Sequence, residues 1–166
     1  MKVELRDIVT DADRAAAIAL RVHPRQERFV ASVETSLREA VEYPEALARY
    51  WTVNDGDRVV GFVMLSDGIP AAVLEADPTL VGPYFLWRLL IDESAQRQGY
   101  GSAALDALVD YVRGRPRADA LLTSAGQGEG SPQAFYERYG FVPTGEIHEG
   151  EAILRLDLGR GDSSRS

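Results

Sequence analysis

Cysteine is absent from the 166-residue chain, and histidine occurs only twice. Without cysteine the protein has no disulfide, no thiolate metal ligand and no cysteine nucleophile. His23 and His148 are not arranged in the H-x-x-x-H spacing of zinc enzymes, so we expect no bound metal. No apolar run approaches the ~18 residues of a membrane helix, and the N-terminus lacks the pattern of a signal peptide. These absences predict a cytoplasmic protein with no membrane partner.

Basic residues are outnumbered by acidic ones, 18 to 26, which gives a formal net charge of −8. This balance argues against nucleic acid as a partner, because phosphate binding needs clustered lysine and arginine. An acidic surface attracts cationic molecules, although such a charge also serves ordinary solubility. Apolar residues make up 45% of the chain. We therefore expect a single globular domain over residues 1–158, followed by a flexible tail at 159–166.

The most informative stretch is a strand, a loop and a helix in the second half of the chain. Tyr84–Ile91 is apolar and aromatic with one charge, which is typical of a buried strand. A polar segment at 92–98 follows, and Tyr100–Arg113 then shows the apolar periodicity of a helix. A helix N-terminus presents unpaired backbone N–H groups, and Gly99 and Gly101 leave no Cβ to keep a phosphate away from them. The stretch therefore predicts an anion site.

Other interpretations of this loop remain open at the level of the residues. Gly99–Ala104 also fits G-x-G-x-x-A, the dinucleotide fingerprint, with Asp119 about 20 residues further on. In that motif the first glycine follows the strand almost directly, whereas the segment 92–98 intervenes here. A nucleotide-binding oxidoreductase is thus one alternative, and a loop that simply begins a helix is another. The absence of G-K-[ST] excludes a P-loop.

Two segments resemble the GNAT N-acetyltransferase superfamily. Gln96–Gly101 is similar to its Q/R-x-x-G-x-G/A signature, and Ser131–Phe141 is similar to its A-x-x-F-Y-E-x-x-G-F segment. In the family the first signature binds the pyrophosphate of acetyl-CoA, so the resemblance implies acetyl-CoA as co-substrate. The contacts that it implies for acetyl-CoA are Leu89, Leu90, Ile91, Gln96, Arg97, Gln98, Gly99, Tyr100, Gly101, Ser102 and Ser131.

The resemblance also implies an α/β (α+β) architecture, the GNAT fold. Its central sheet has about seven strands, is mixed and mostly antiparallel, and splays between the fourth and fifth strands, with about four helices around it. The patterns along the chain give the compatible order β-α-α-β-β-β-α-β-α-β-β. Strands are predicted at 2–8, 50–53, 58–65, 84–91, 118–124, 141–146 and 151–158. Helices are predicted at 11–23, 26–41, 100–113 and, with Ser131 as its N-cap, 132–139.

Two features between these elements invite interpretation. Gly61 inside a predicted strand indicates a bulge or a close backbone approach. The connector at 67–83 is long and contains three acidic residues but no basic one. Long loops in compact domains are often functional, so it forms either a wall over an acceptor site or a surface insertion.

The implied reaction is acetyl transfer to an amine. Tyr136 matches the tyrosine that lies beside the CoA sulfur in the family, and its phenol, with an ordinary pKa of about 10, is suited to protonate the leaving thiolate. Phe135 and Tyr139, four residues apart, are predicted to fill the core, which would turn Tyr136 toward another face. A backbone N–H around Leu89–Ile91 is expected to stabilise the oxyanion.

The group that deprotonates the amine is left open. Many family members carry a carboxylate on the fourth strand, whereas the only charge on this strand is Arg88. Glu34, Glu75 or a chain of waters is the predicted base, and Arg88 is grouped with them as a substrate-site residue. Since a buried unpaired charge is costly, we predict a carboxylate partner for Arg88.

The acceptor is suggested by a weaker resemblance. Segments at 26–31, 36–40, 86–92 and 145–151 are similar to the bacterial spermine/spermidine acetyltransferase branch, and the acidic helices and connector agree with a polyamine acceptor. A protein, peptide or antibiotic amine, or a non-catalytic acyl-CoA-binding role, are the alternatives. Homodimers are common in the family, so a homodimer is also an expectation.

Overall fold

The computed structural model describes residues 1–159, so the predicted tail lies, from residue 160 onward, outside the described residues. Its centre is a seven-stranded sheet. The strands are β1 (Glu4–Asp7), β2 (Ala48–Asp55), β3 (Arg58–Asp67), β4 (Tyr84–Ile91), β5 (Ala120–Gly126), β6 (Val142–His148) and β7 (Glu151–Asp157). Within residues 1–159 the α-helices are α1 (Asp11–Ile18), α2 (Val33–Glu42), α3 (Ala71–Ala76), α4 (Tyr100–Arg113) and α5 (Gln133–Tyr139).

The sheet is mixed and opens between β4 and β5. Its strands lie in the order β1-β2-β3-β4-β5-β7-β6, and the β4–β5 pair is parallel whereas the other neighbours are antiparallel. β4 and β5 pair at Phe85–Leu122 and Leu86–Thr123, after which they separate. The predicted GNAT-type sheet, including its splay between the fourth and fifth strands, is therefore confirmed.

A bulge in β4 lies where the gap begins. The register between β3 and β4 shifts between Met64 and Leu65, which leaves Trp87 as an extra residue on β4. Because side chains alternate across a strand, one extra residue exchanges the faces of those that follow. Leu86 accordingly packs in the core beneath α4, whereas Leu90 packs in the core beneath α1 and α2.

Both faces of the sheet are covered by helices. The predicted helix α4 is confirmed over Tyr100–Arg113, and its buried side includes Leu105 and Leu108. On the opposite face Leu37 of α2 belongs to a second core cluster with Phe62 of β3. Since β3 and β4 are covered on both sides, they carry the near-continuous apolar runs seen in the sequence.

The helix predicted at 26–41 is wrong in its first half. Pro24–Gln26 is a short 3₁₀ turn, and residues 27–32 form turns and irregular backbone before α2 begins at Val33. The start is set by Ser32, whose hydroxyl oxygen accepts a hydrogen bond from the Thr35 N–H at 3.1 Å. We call residues 23–32 the α1–α2 loop.

Other boundaries differ less from the prediction. α1 ends at Ile18 rather than near residue 23. α5 begins at Gln133, so Ser131 precedes the N-cap position, although its hydroxyl still accepts a hydrogen bond from the Gln133 N–H at 3.2 Å. The close approach predicted at Gly61 is confirmed, because a Cβ there would lie 2.5 Å from the carbonyl oxygen of Leu90.

Within residues 1–159, the helices are all too short or too polar to cross a membrane.

Candidate active site

The N-terminus of α4 opens into a cavity of about 910 Å³, which we call the cradle cavity. Gly99 precedes the helix at φ +87°, and Arg97 also adopts a left-handed φ of +63°. Gly101 packs closely against Phe135, since a Cβ on it would lie 3.0 Å from that ring. The first N–H groups of a helix have no intrahelical acceptor and carry partial positive charge. The cavity therefore has the groups that bind an anion. Its wall includes Leu89, Leu90, Ile91, Gln96, Arg97, Gly99, Tyr100, Gly101, Ser102, Ser131, Phe135 and Tyr136.

A second cavity of about 970 Å³ lies on the other side of the gap, and we call it the acidic cavity. Three carboxylates line it, namely Glu27, Glu149 and Glu151. Its other polar and charged lining residues include Arg28, Thr79, Arg88, Thr123, Ser124, Gln127, Tyr136 and His148. The two cavities share five lining residues, which are Phe29, Val30, Leu89, Pro132 and Tyr136. A ligand in one cavity would therefore meet a ligand in the other at these side chains.

The α1–α2 loop forms the wall that is common to both cavities. Phe29 packs against two glycines, because a Cβ on Gly126 would lie 3.0 Å from its ring and one on Gly130 would lie 3.3 Å away. Arg28 donates a hydrogen bond to the carbonyl oxygen of Glu129 at 2.8 Å. The loop is thus fastened to the β5–α5 connection, and the irregular backbone at 27–32 places Phe29 between the cavities.

Tyr136 is buried at the junction of the two cavities. Its ring lies 5.4 Å from that of Phe135 and 5.3 Å from that of Phe141. Burial raises the pKa of its phenol to about 12, against the opposing effect of a hydrogen bond with Thr123. The hydroxyl therefore keeps its proton at neutral pH and can act as an acid.

The prediction that Phe135 and Tyr139 fill the core while Tyr136 turns elsewhere is wrong in part. Tyr136 is the most buried of the three, with 6% of its surface exposed, and it also lines both cavities. The hydroxyl of Tyr139 donates instead to Asp106 on α4 at 2.8 Å. Tyr136 thus belongs both to the hydrophobic core and to the candidate site, because the core ends where the two cavities meet.

Arg88 faces the acidic cavity and has the carboxylate partner that the sequence predicts. Its Nη2 lies 2.6 Å from Oε2 of Glu39 on α2, and its Nη1 donates to the Trp87 carbonyl oxygen at 3.0 Å. Its Nε is buried and has no hydrogen-bond partner among residues 1–159. Burial lowers the pKa of Arg88, while the charges of Glu39 and Glu151 raise it.

Several predicted contact residues are engaged within the protein. Gln96 donates to the side-chain oxygen of Gln26 at 2.8 Å, which ties the cradle loop to the α1–α2 loop. The hydroxyl of Tyr100 donates to Asp55, although the residue also lines the cradle cavity. Gln98 is exposed, with its amide 3.5 Å from the Ser94 carbonyl oxygen, and it is not among the residues that line the cradle cavity in the described chain.

The structure does not bring the two predicted bases to the junction. Glu34 on α2 and Glu75 on α3 are exposed, and neither lines either cavity in the described part of the chain. Part of the connector does reach the acidic cavity, through Pro78, Thr79 and Val81. This contact favours the interpretation of residues 67–83 as a wall.

The sequence does not predict that the β6–β7 hairpin lines the acidic cavity. His148, Glu149, Gly150 and Glu151 all line the acidic cavity. A period of two along β7 does not reveal this, because Ala152, Ile153 and Leu154 are all apolar and buried.

Comparison with known proteins agrees with the resemblance found in the sequence. The sequence model described as the acetyltransferase (GNAT) family matches residues 7–141. A Bacillus subtilis (strain 168) protein named spermine/spermidine N(1)-acetyltransferase is 29% identical over 153 residues, which cover 90% of this chain and 95% of that protein.

Solved structures share the fold. An acetyltransferase from Thermus thermophilus aligns with a TM-score of 0.64 at 20% identity, covering 95% of this chain and 97% of its own. A Bacillus subtilis acetyltransferase in complex with CoA aligns with a TM-score of 0.59 at 18% identity, covering 94% and 97%. At such identities these likenesses bear on the fold alone.

Proposed function

The chain belongs to the acetyltransferase (GNAT) family, and from that premise we propose that it transfers the acetyl group of acetyl-CoA directly to a primary amine of a polyamine. One observation carries the proposal: the cradle cavity and the acidic cavity meet at Tyr136 and Leu89. A donor in the first and an amine in the second would face each other there. Direct transfer in a ternary complex needs this arrangement, because both reactants must be held in contact.

The cradle cavity fits the pyrophosphate of CoA. The first residues of α4 line the cavity with the backbone N–H groups that a helix N-terminus leaves unpaired, and the exposed Arg97 adds a positive charge. Ser102 lines the same cavity and adds a hydroxyl group, whereas the hydroxyl of Ser131 already donates to the Gly126 carbonyl oxygen. Bound acetyl-CoA would supply the activated acetyl group, and these residues would hold its phosphates.

β4 and Tyr136 are suited to the chemistry at the carbonyl group. Leu89–Ile91 lines the cradle cavity where β4 has separated from β5, which supports the proposal that a backbone N–H there would stabilise an oxyanion. Tyr136 is a protonated phenol at neutral pH and would give its proton to the leaving sulfur.

The acidic cavity supports a polycationic acceptor. Glu27, Glu149 and Glu151 offer three carboxylates to the spaced ammonium groups of a polyamine. The similarity to a relative named for spermine and spermidine supports the same class of acceptor. The lining of the acidic cavity therefore supports a polyamine as the acceptor, whereas membership of the family alone does not indicate which amine is acetylated.

The test is release of free thiol from acetyl-CoA with a panel of amines. We expect turnover with spermine and spermidine, and at least a tenfold lower kcat/KM for a monoamine of similar length, because it lacks the second ammonium group. Turnover with a peptide or an aminoglycoside but not with polyamines would show that the acceptor class is wrong.

A non-catalytic acyl-CoA-binding domain is the second candidate, and Arg88 favours it because β4 carries no side-chain base. This candidate predicts CoA binding in calorimetry without turnover of any amine.

A further inference from the structure

We infer that Glu151 is the proton acceptor for the attacking amine, supplied from β7 in place of a carboxylate on β4. The inference rests on the proposed function, because it names the base for the same reaction. It also differs from the sequence-based expectation, which looked for this group at Glu34 or Glu75.

The backbone around Glu151 holds it in a defined place. It is the first residue of β7 and pairs with Gly126 of β5 on one side and with His148 of β6 on the other. β7 therefore lies inside the sheet, and a site on such an element is more rigid than one on a loop. The side chain is partly buried and lines the acidic cavity together with Tyr136.

Within residues 1–159 the Glu151 carboxylate accepts one hydrogen bond, and this bond is weak. The Ser124 hydroxyl lies 3.4 Å from its Oε1, at the long limit for a hydrogen bond. Glu149 differs because it is exposed at the turn of the hairpin, with a left-handed φ of +51°. Glu39 differs because it already neutralises Arg88. Among the carboxylates described near the gap, Glu151 is thus the one that combines partial burial with access to the cavity.

Glu151 interacts electrostatically with groups at the junction of the two cavities. Burial is the main cause of the raised pKa of Tyr136, and the negative charge of Glu151 raises it further. The same charge opposes the lowering of the Arg88 pKa by burial. The charged and titratable groups that face the cavity around it are Glu27 and Arg28 from the α1–α2 loop, Arg88 from β4, Tyr136 from α5, His148 from β6 and Glu149 from the turn.

With Glu151 as the proton acceptor, every proton in the reaction is accounted for. An ammonium group binds to the Glu151 carboxylate and gives it one proton, which leaves a neutral amine and a carboxylic acid. The amine nitrogen forms a bond to the acetyl carbon, and the C–S bond breaks with its electron pair going to sulfur. Tyr136 protonates the sulfur and recovers a proton from the new amide nitrogen. Glu151 finally releases its proton to water, so the net products are the amide, CoA thiol and one proton.

The decisive variant is Glu151→Gln, measured with acetyl-CoA and spermidine from pH 5 to 9. We expect kcat to fall by about 100-fold or more, since a positioned base contributes about 10²–10⁴-fold. The remaining activity of the variant should rise with pH, because only solvent can then take the proton from the ammonium group. The Kd for CoA should stay within twofold, since Glu151 does not line the cradle cavity described here.

Two further variants distinguish proton transfer by Glu151 from effects of other charged or polar groups on β6 and β7. Asp157→Asn removes a negative charge from the exposed far end of the same strand, outside the acidic cavity in the described chain, and it should keep the wild-type kcat. His148→Gln removes the imidazole that lines the same cavity, and it should not reproduce the loss seen in Glu151→Gln.

Wild-type kcat in Glu151→Gln across the pH range would overturn the inference while leaving the proposed function intact. A loss of about 100-fold in His148→Gln but not in Glu151→Gln would assign the proton transfer to His148 and would overturn it as well. Failure of the wild type to acetylate any amine would instead overturn the proposed function. Thermal unfolding of each variant checks that the comparison is made between folded proteins.

Discussion

Arg88 and Glu39 form an ion pair of 2.6 Å that joins β4 to α2 beside the acidic cavity. The guanidinium lies on the strand where a carboxylate would be the expected base, and Glu39 neutralises it from the neighbouring helix. The ion pair of Arg88 therefore does not involve a carboxylate that lines the acidic cavity. The pair also connects α2 to the bulged part of β4, so it bears on stability as well as on the site.

Removing the charge of Glu39 should destabilise the fold. In Glu39→Gln the partly buried Arg88 keeps its charge without compensation, and we expect a loss of about 2 kcal/mol in the free energy of unfolding, which is below the range for fully buried pairs. Urea denaturation measures this loss. Glu42→Gln is the matched control, because Glu42 pairs with Arg38 at 3.6 Å on the exposed side of the same helix. Its cost should stay below about 0.5 kcal/mol, and equal costs for both variants would contradict the prediction.

Tyr136→Phe should separate catalysis from binding. The phenol is the proposed acid for the leaving sulfur, so its loss should lower kcat by about 100-fold. The aromatic ring and its packing against Phe135 and Phe141 remain, and the affinity for CoA, measured by calorimetry, should change less than twofold. An unchanged kcat would show that Tyr136 serves the core alone.

Tyr136 should also make the stability of the wild type depend on alkaline pH. Burial raises the pKa of its phenol from 10.0 to about 12 in the folded state. The folded protein therefore holds a proton that the unfolded chain has lost between pH 10 and 12, and stability falls as the pH rises through this window. At pH 11 the loss from this residue is about 1 kcal/mol.

Urea unfolding at pH 9 and pH 11 measures this effect as the difference between wild type and Tyr136→Phe. The other tyrosines with raised pKa values, Tyr84, Tyr100, Tyr111 and Tyr139, are present in both proteins, so their contributions cancel. The variant should lose less stability than the wild type between the two pH values. Equal losses would mean that the phenol ionises in the folded state as easily as in the unfolded chain.

Gly99→Ala should weaken CoA binding. A Cβ at φ +87° is strained by about 1–2 kcal/mol, and relief of this strain would shift the backbone that leads into α4. We expect the Kd for CoA to rise by about tenfold, which corresponds to about 1.4 kcal/mol. Gly145→Ala is the control, because Gly145 has a similar φ of +90° in β6 and open space around its Cβ position. Both variants should lose similar stability, and a parallel loss of CoA affinity in the control would indicate a general effect of strain.

Much of the fold follows from local patterns. The apolar runs of β3 and β4, the turn between β2 and β3, and the periodicity of α4 over Tyr100–Arg113 each arise from residues close together in the chain, and the structure contains them as predicted. The α1–α2 loop has a misleading local pattern, because Phe29 and Val30 have helical spacing with the apolar residues of α2. Phe29 packs instead against Gly126 and Gly130, which are distant in sequence, and Val30 packs against the core cluster that includes Leu37 and Phe62.

The sequence by itself determined the family and the residue types proposed for the reaction, because each depends on side chains within one short segment. Only the tertiary structure decided which carboxylates line the acidic cavity. The bulge at Trp87 and the separation of β4 from β5 arise from pairing between strands, and they bring the β6–β7 hairpin to Tyr136 while Glu34 and Glu75 stay outside. Such pairing depends on long-range contacts, and no local pattern encodes it.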